Sequence, residues 1–110
     1  SNVIEVRQGD SFTIRLQFKK GCEVIDLTGS RVTMQVRNDA GDVLLDKLAT
    51  EVDLANGKVA LILTPSDTSF AVGDYNTDIQ LEMPDGSINT IFPADVNRVG
   101  IFRITEQVTR

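Results

Sequence analysis

The fold class that this sequence predicts is all-β, with two antiparallel sheets packed face to face, and three observations carry it. Apolar residues recur at every second position from Phe12 to Phe18 and from Val32 to Val36, and from Tyr75 to Met83 with only Thr77 breaking the series. That is the period of a strand with one face in a core. Turn residues punctuate the chain at intervals of about 8 to 12 residues, and no stretch sustains the period of an amphipathic helix. At 110 residues the chain has room for one domain, expected to span 1–110, and can build a core without disulfide or metal staples.

Val3 to Arg7 is a short extended segment that ends at the turn Gln8-Gly9-Asp10. From Ser11 to Phe18, Phe12, Ile14, Leu16 and Phe18 point inward while Thr13, Arg15 and Gln17 point out. Lys19 to Glu23 breaks the chain around Gly21, and the segment Val24 to Gly29 crosses one end of the domain. Val32, Met34 and Val36 then face inward, with Arg31, Thr33, Gln35 and Arg37 outward. Asn38-Asp39-Ala40-Gly41 reverses that strand into a short partner, Val43 to Leu45.

Periodicity blurs from Asp46 to Leu54, where Val52 and Leu54 can begin another strand. Asn56-Gly57 is a hairpin signal because both residues tolerate positive φ. In Lys58 to Leu63, Val59, Leu61 and Leu63 share one side and Ala60 and Ile62 the other, so both faces are expected to be partly covered. Thr64-Pro65-Ser66-Asp67-Thr68 suggests one helical turn, after which Phe70 and Val72 are placed to plug one end of the core. The longest alternation sets Tyr75, Thr77, Ile79, Leu81 and Met83 against Asn76, Asp78, Gln80 and Glu82. Pro84-Asp85-Gly86-Ser87 reverses it into Ile88 to Phe92, Pro93-Ala94-Asp95 interrupts, and Val99 to Val108 is the terminal strand. These elements amount to an immunoglobulin-like β-sandwich of two antiparallel sheets with about seven to nine strands, a small barrel being the other architecture they allow. The Cys-Trp-Cys landmark of antibody domains is missing.

Composition excludes several kinds of chemistry. There is no histidine, so a histidine triad and the commonest metal ligand are both unavailable, and the single cysteine, Cys22, reads as an incidental thiol beside a turn. A net charge of −5, with acids scattered along the chain, argues against nucleic-acid binding, and the pair Lys19-Lys20 reads as a solvated strand end. No apolar run is long enough to span a bilayer and the segment from Ser1 lacks a signal peptide's apolar stretch, so the domain is expected to be soluble, with no membrane partner. Asp78 and Glu82 stand about 13 Å apart along one strand, too far for paired-carboxylate glycoside chemistry. Asp39, Asp85 and Asp95 fall in turns, no loop has the ligand spacing of a calcium-binding EF-hand, and neither Gly41 nor Gly57 belongs to a phosphate-binding loop. The expectation is no catalytic residue, no metal and no cofactor. Tyr75, Phe12, Phe18 and Phe102 lie on core phases, and Phe70 and Phe92 read as core plugs, leaving little for an aromatic sugar platform.

Function must then lie in surfaces. If Arg31 to Arg37 pairs antiparallel with Asn76 to Glu82, one register sets Arg31 across from Glu82 and Gln35 across from Asp78, giving a charge-matched exterior that serves either as solvated sheet or as a wet protein contact. Val3 to Arg7 and Arg103 to Val108 are candidate edge or exchange strands.

The chain resembles the immunoglobulin-like domains of bacteriophage tail and baseplate proteins, including the amino-terminal domain of upper-baseplate proteins. The likeness runs from Val6 to Thr105 and lies in Gln8-Gly9-Asp10-Ser11-Phe12, Asp26-Leu27-Thr28-Gly29, Gln35-Val36-Arg37, Thr64-Pro65-Ser66-Asp67-Thr68, Gly73-Asp74-Tyr75-Asn76-Thr77-Asp78-Ile79, Asp85-Gly86 and Thr90-Ile91. The resemblance implies a non-catalytic structural or adaptor protein of a phage or prophage tail. Its partners would be other tail or baseplate subunits, with a homo-oligomer open, and its place would be the virion, assembled in the host cytoplasm. The long extension of large members does not follow before Arg110, which weighs against direct host recognition. The alternative is an extracellular carbohydrate-binding or adhesion module.

Overall fold

Alternation decides which side of each strand meets the core. The computed structural model describes residues 1–107, among which eleven strands form three sheets. They are β1 (Val3–Arg7), β2 (Phe12–Gln17), β3 (Lys19–Lys20), β4 (Glu23–Val24), β5 (Arg31–Arg37), β6 (Val43–Leu48), β7 (Thr50–Asp53), β8 (Lys58–Leu63), β9 (Gly73–Glu82), β10 (Ile88–Phe92) and β11 (Gly100–Thr105). A large sheet has the order β1-β11-β9-β5-β6 with β10 also on β9; a small sheet has the order β2-β8-β7; β3 and β4 make a separate hairpin. The arrangement is broadly sandwich-like, with more strands than the sequence suggests. The surplus has two local sources: the two-residue strands flanking Gly21-Cys22, and the division of the blurred 46–54 stretch between two sheets.

Residues on the predicted inward phases fill the core. Val32, Met34 and Val36 of β5, Ile79 and Leu81 of β9, and Phe102 and Ile104 of β11 meet Val59, Leu61 and Leu63 of β8, with Leu27 entering from the end loop. Phe12, Ile14, Leu16 and Phe18 pack on this cluster but are only half-buried. Ala60 is buried on the back of β8 whereas Ile62 is 45% exposed, so that back is covered only in part. Val72 is also exposed, and Phe70 plugs its end of the core without it, its ring meeting Tyr75 edge-on at 4.7 Å and Phe102 at 5.9 Å.

Other features depart from the sequence reading. β1 runs parallel to β11, so the large sheet is not purely antiparallel. β6 continues past Leu45 to Leu48, and the chain then changes sheet at Ala49, whose N–H still donates to the Val32 carbonyl at 2.8 Å, before β7 joins β8. A strand that changes sheets cannot hold one inward phase, which is why its periodicity blurs. Between β7 and β8, Leu54–Asn56 forms a short 3₁₀ turn, and only Gly57 of the Asn56-Gly57 pair takes the left-handed conformation, at φ 72°.

Three contacts fasten the sheets and loops. Gly57 lies so close to the chain that a Cβ there would stand 2.7 Å from the carbonyl oxygens of both Ile25 and Phe18. Buried Thr68, in the expected helical turn Ser66–Thr68, donates its hydroxyl to the Asp10 carbonyl at 2.7 Å and accepts from the Gly9 N–H at its own carbonyl, tying that turn to the β1–β2 bend. Lys47 of β6 reaches Asp67 of the same turn at 2.6 Å, bridging the large sheet to the end of β8. Burial pushes the Asp67 carboxyl up, but the Lys47 ammonium and the Thr64 N–H and hydroxyl outweigh it and hold it below the usual carboxylate range.

These contacts generate two tests. Gly57→Ala and Gly41→Ala both place a side chain at positive φ, at a cost of roughly 1 kcal/mol each. Only Gly57 adds a clash with backbone, whereas the space around Gly41 is open. Urea unfolding is therefore expected to show the larger loss for Gly57→Ala. Because the folded-state pKa of Asp67 is lowered, its stabilisation is present above the unfolded-state value near 4 and is lost as pH falls through the folded value. Asp67→Asn is expected to lower stability at neutral pH by about 1 kcal/mol and to flatten the acid limb of a stability–pH profile; an unchanged profile would remove this contact from the account.

Candidate functional site

The polar back of the large sheet is the candidate contact surface. β5 and β9 pair in the register set out from the sequence, with Arg31 opposite Glu82, Thr33 opposite Gln80, Gln35 opposite Asp78 and Arg37 opposite Asn76. With Met34, Val36, Ile79 and Leu81 committed to the core, the alternate residues are directed outward. β6 adds Asp46 beside Gln35, and β10 adds Thr90 beside Gln80.

This face becomes concave through the segment between β10 and β11. Phe92 lies opposite Ile79 and Gly100 opposite Thr77, so the chain leaves β9 and rejoins it almost at the same point. Residues 93–99 form an excursion that walls a groove of about 800 Å³. Its floor carries Thr33, Gln35, Asn76, Asp78 and Gln80, and Val96 and Val99 stand on its wall. Val96 is 95% exposed and Val99 62%. Asp95 accepts from the Asn97 N–H at 2.9 Å, and Arg98 folds back on the Asp95 carboxylate at 3.5 Å, stiffening the base of the excursion.

Local hydrogen bonds orient the floor. Arg37 donates to the Gln35 amide oxygen at 2.5 Å, and the Gln35 amide nitrogen donates to Asp46 at 3.3 Å. The Thr77 hydroxyl, on the buried side, donates to the Gln35 carbonyl at 2.7 Å. Further along the same face Arg103 is held between Asp74, at 2.8 Å, and Glu5, at 3.8 Å, and its hydrogen bonds keep the Asp74 carboxyl below the usual range. Rigid polar groups beside exposed apolar side chains suit a wet contact with a partner.

The domain's perturbed carboxyls sit in local structural contacts. Asp26, Asp67, Asp74 and Asp85 are all shifted downward, Asp26 and Asp85 by the hydroxyls and backbone N–H groups of Thr28 and Ser87. Each accepts hydrogen bonds from neighbouring groups that favour its ionised form. Asp78 and Glu82 remain on one polar strand face, and Cys22 is exposed on the β3–β4 hairpin. Among the described residues no three His, Cys, Asp or Glu side chains converge to hold a metal ion.

β1 is an edge of the large sheet, as expected for Val3 to Arg7. Arg103 and Ile104 are not at an edge: β1 pairs with them on one side and β9 on the other, because the amino-terminal strand takes the outer position, and Thr105 pairs with Arg7 of β1. Val108 lies outside the described residues. A second edge escapes the sequence reading: β2, with a strong core phase, is an end strand of the small sheet. Its alternation reports a buried face but carries no information about which strands lie beside it.

Comparison with protein-family models and with curated proteins finds no match. Among solved structures, CopC from Methylosinus trichosporium OB3b superposes with a TM-score of 0.54 at 14% identity, over 100% of this chain and 90% of that one. The N-terminal domain of phage TP901-1 ORF48 does so with a TM-score of 0.54 at 15% identity, over 96% of this chain and 85% of that one. Murine CRIg, with a TM-score of 0.39 at 13% identity over 98% and 94%, is too distant to inform the fold. At these identities the likeness is one of β-sandwich architecture.

Proposed function

We propose that this chain is a structural or adaptor component of a phage or prophage tail or baseplate, a single immunoglobulin-like domain over 1–110 that works in the virion by contacting other tail subunits. The observation that carries this reading is the grooved polar face of β5 and β9, on which Gln35 is oriented by Arg37 and Asp46 and which is flanked by exposed Val96 and Val99. A surface with little side-chain freedom left to lose binds at lower entropic cost. The sequence likeness to phage tail domains supports the assignment to a tail, and the N-terminal domain of phage TP901-1 ORF48 shares the sandwich architecture. A homo-oligomer formed through the same face is compatible with this role.

A specific feature favours a second reading as an extracellular carbohydrate-binding or adhesion module. Amides and a carboxylate converge on the groove floor, a combination able to bind polyols by hydrogen bonds. The two readings part in one experiment. The chain is co-expressed with tail and baseplate subunits and its mass measured by light scattering, while the same protein is applied to a glycan array. The expected result is a stoichiometric complex that is lost in Thr33→Arg/Gln80→Arg, with the thermal midpoint unchanged, and no glycan signal. A glycan signal abolished by the same pair, with no complex, would transfer the function to the second reading.

A further inference from the structure

On the other sheet, β2 has a neighbour on one side only. Its register with β8, Phe12 opposite Leu63 through Gln17 opposite Lys58, together with the Phe18 N–H donating to the Gly57 carbonyl at 2.9 Å, sets the phase of the ladder. Backbone groups of Phe12, Ile14 and Leu16 therefore bond β8, and those of Thr13, Arg15 and Gln17 are directed to the free edge. Beneath this edge the sandwich is open. A notch of about 430 Å³ lies between the sheets, lined by Ile4, Phe12, Ile14, Leu16, Ile91 and Phe92 among others. The half-burial of β2's inward side chains is the mark of this gap.

Charge indicates what would close it. The chain carries a net −5, yet between Asp10 and Glu23 it has Arg15, Lys19 and Lys20 and no carboxylate. Lys58 stands across from Gln17 on the same outer face as Arg15. Among the described residues none of these four cations forms an ion pair. A second copy joined β2 to β2 would gather both sets of cations at one seam, where like charges oppose pairing.

We infer that the β2 edge is a strand-acceptor site for an extended segment of another protein in which apolar and acidic residues alternate. Such a strand would bond Thr13, Arg15 and Gln17 through its backbone, drop its apolar residues into the notch, and set a carboxylate beside Arg15, with Lys58 one strand further in adding to the positive field. The site lies apart from the grooved face and does not depend on the tail assignment.

The test uses the whole chain and two synthetic peptides of about seven residues, one alternating Glu with Val and Ile, the other Lys with Val and Ile. Amide exchange is followed by NMR. The expected result is that the Glu peptide newly protects the amides of Thr13, Arg15 and Gln17, leaves the already protected Phe12, Ile14 and Leu16 unchanged, and binds at least about tenfold more tightly than the Lys peptide. Arg15→Glu, a change at an exposed side chain, is expected to narrow or reverse that preference while the thermal midpoint holds. Equal binding of the two peptides, protection confined to the β5–β9 face, or no protection at saturating Glu peptide would overturn the proposal. Protection of the same amides by raising protein concentration alone would overturn it in favour of a second copy.

Discussion

β9 is the strand on which the rest of the molecule depends. Along one edge it pairs with β5, and along the other it divides its length between β10 and β11. Close approach there has a steric condition: a Cβ on Gly100 would stand 2.3 Å from the Thr77 carbonyl oxygen, so the start of β11 can lie against β9 only as glycine. The same strand supplies Ile79 and Leu81 to the core and Asn76, Asp78 and Gln80 to the polar face. Core and contact surface are thus alternate residues of one element, and a register slip would exchange them.

The two sheets differ in extent, and that difference distributes the surfaces. The large sheet has six strands and the small one three. At the notch beside β2, apolar side chains from both layers remain half-covered. The large sheet's outer face, by contrast, is wide enough to carry a groove. The domain therefore presents one polar and one apolar opening, two surfaces of unlike chemistry.

Legibility in the sequence followed the range of the interactions. The pairing of Arg31 with Glu82 and Gln35 with Asp78 was readable because both strands keep a strict alternation and charge matching selects among registers. The segment Val24 to Gly29 crossing one end and the turns at Pro65 and Asp85-Gly86 were readable from local chemistry. The parallel pairing of β1 with β11 joins the two ends of the chain, and no local signal specifies it. The crossing at Ala49 was visible only as lost periodicity. The groove depends on residues 93–99 folding over a face formed far away in sequence, and β2's edge on which strands are absent beside it; neither is a property of a short window.

Residues 93–99 depart from β9 opposite Ile79 and return opposite Thr77, so the ladder closes behind them whatever their length. For a flexible loop anchored in this way, each doubling of length adds only roughly 0.6 kcal/mol. Added length in the groove's wall therefore costs the scaffold beneath it little. Lineages can lengthen or recolour that wall to follow a changing partner, and a protein engineer has there a natural insertion point for foreign peptides.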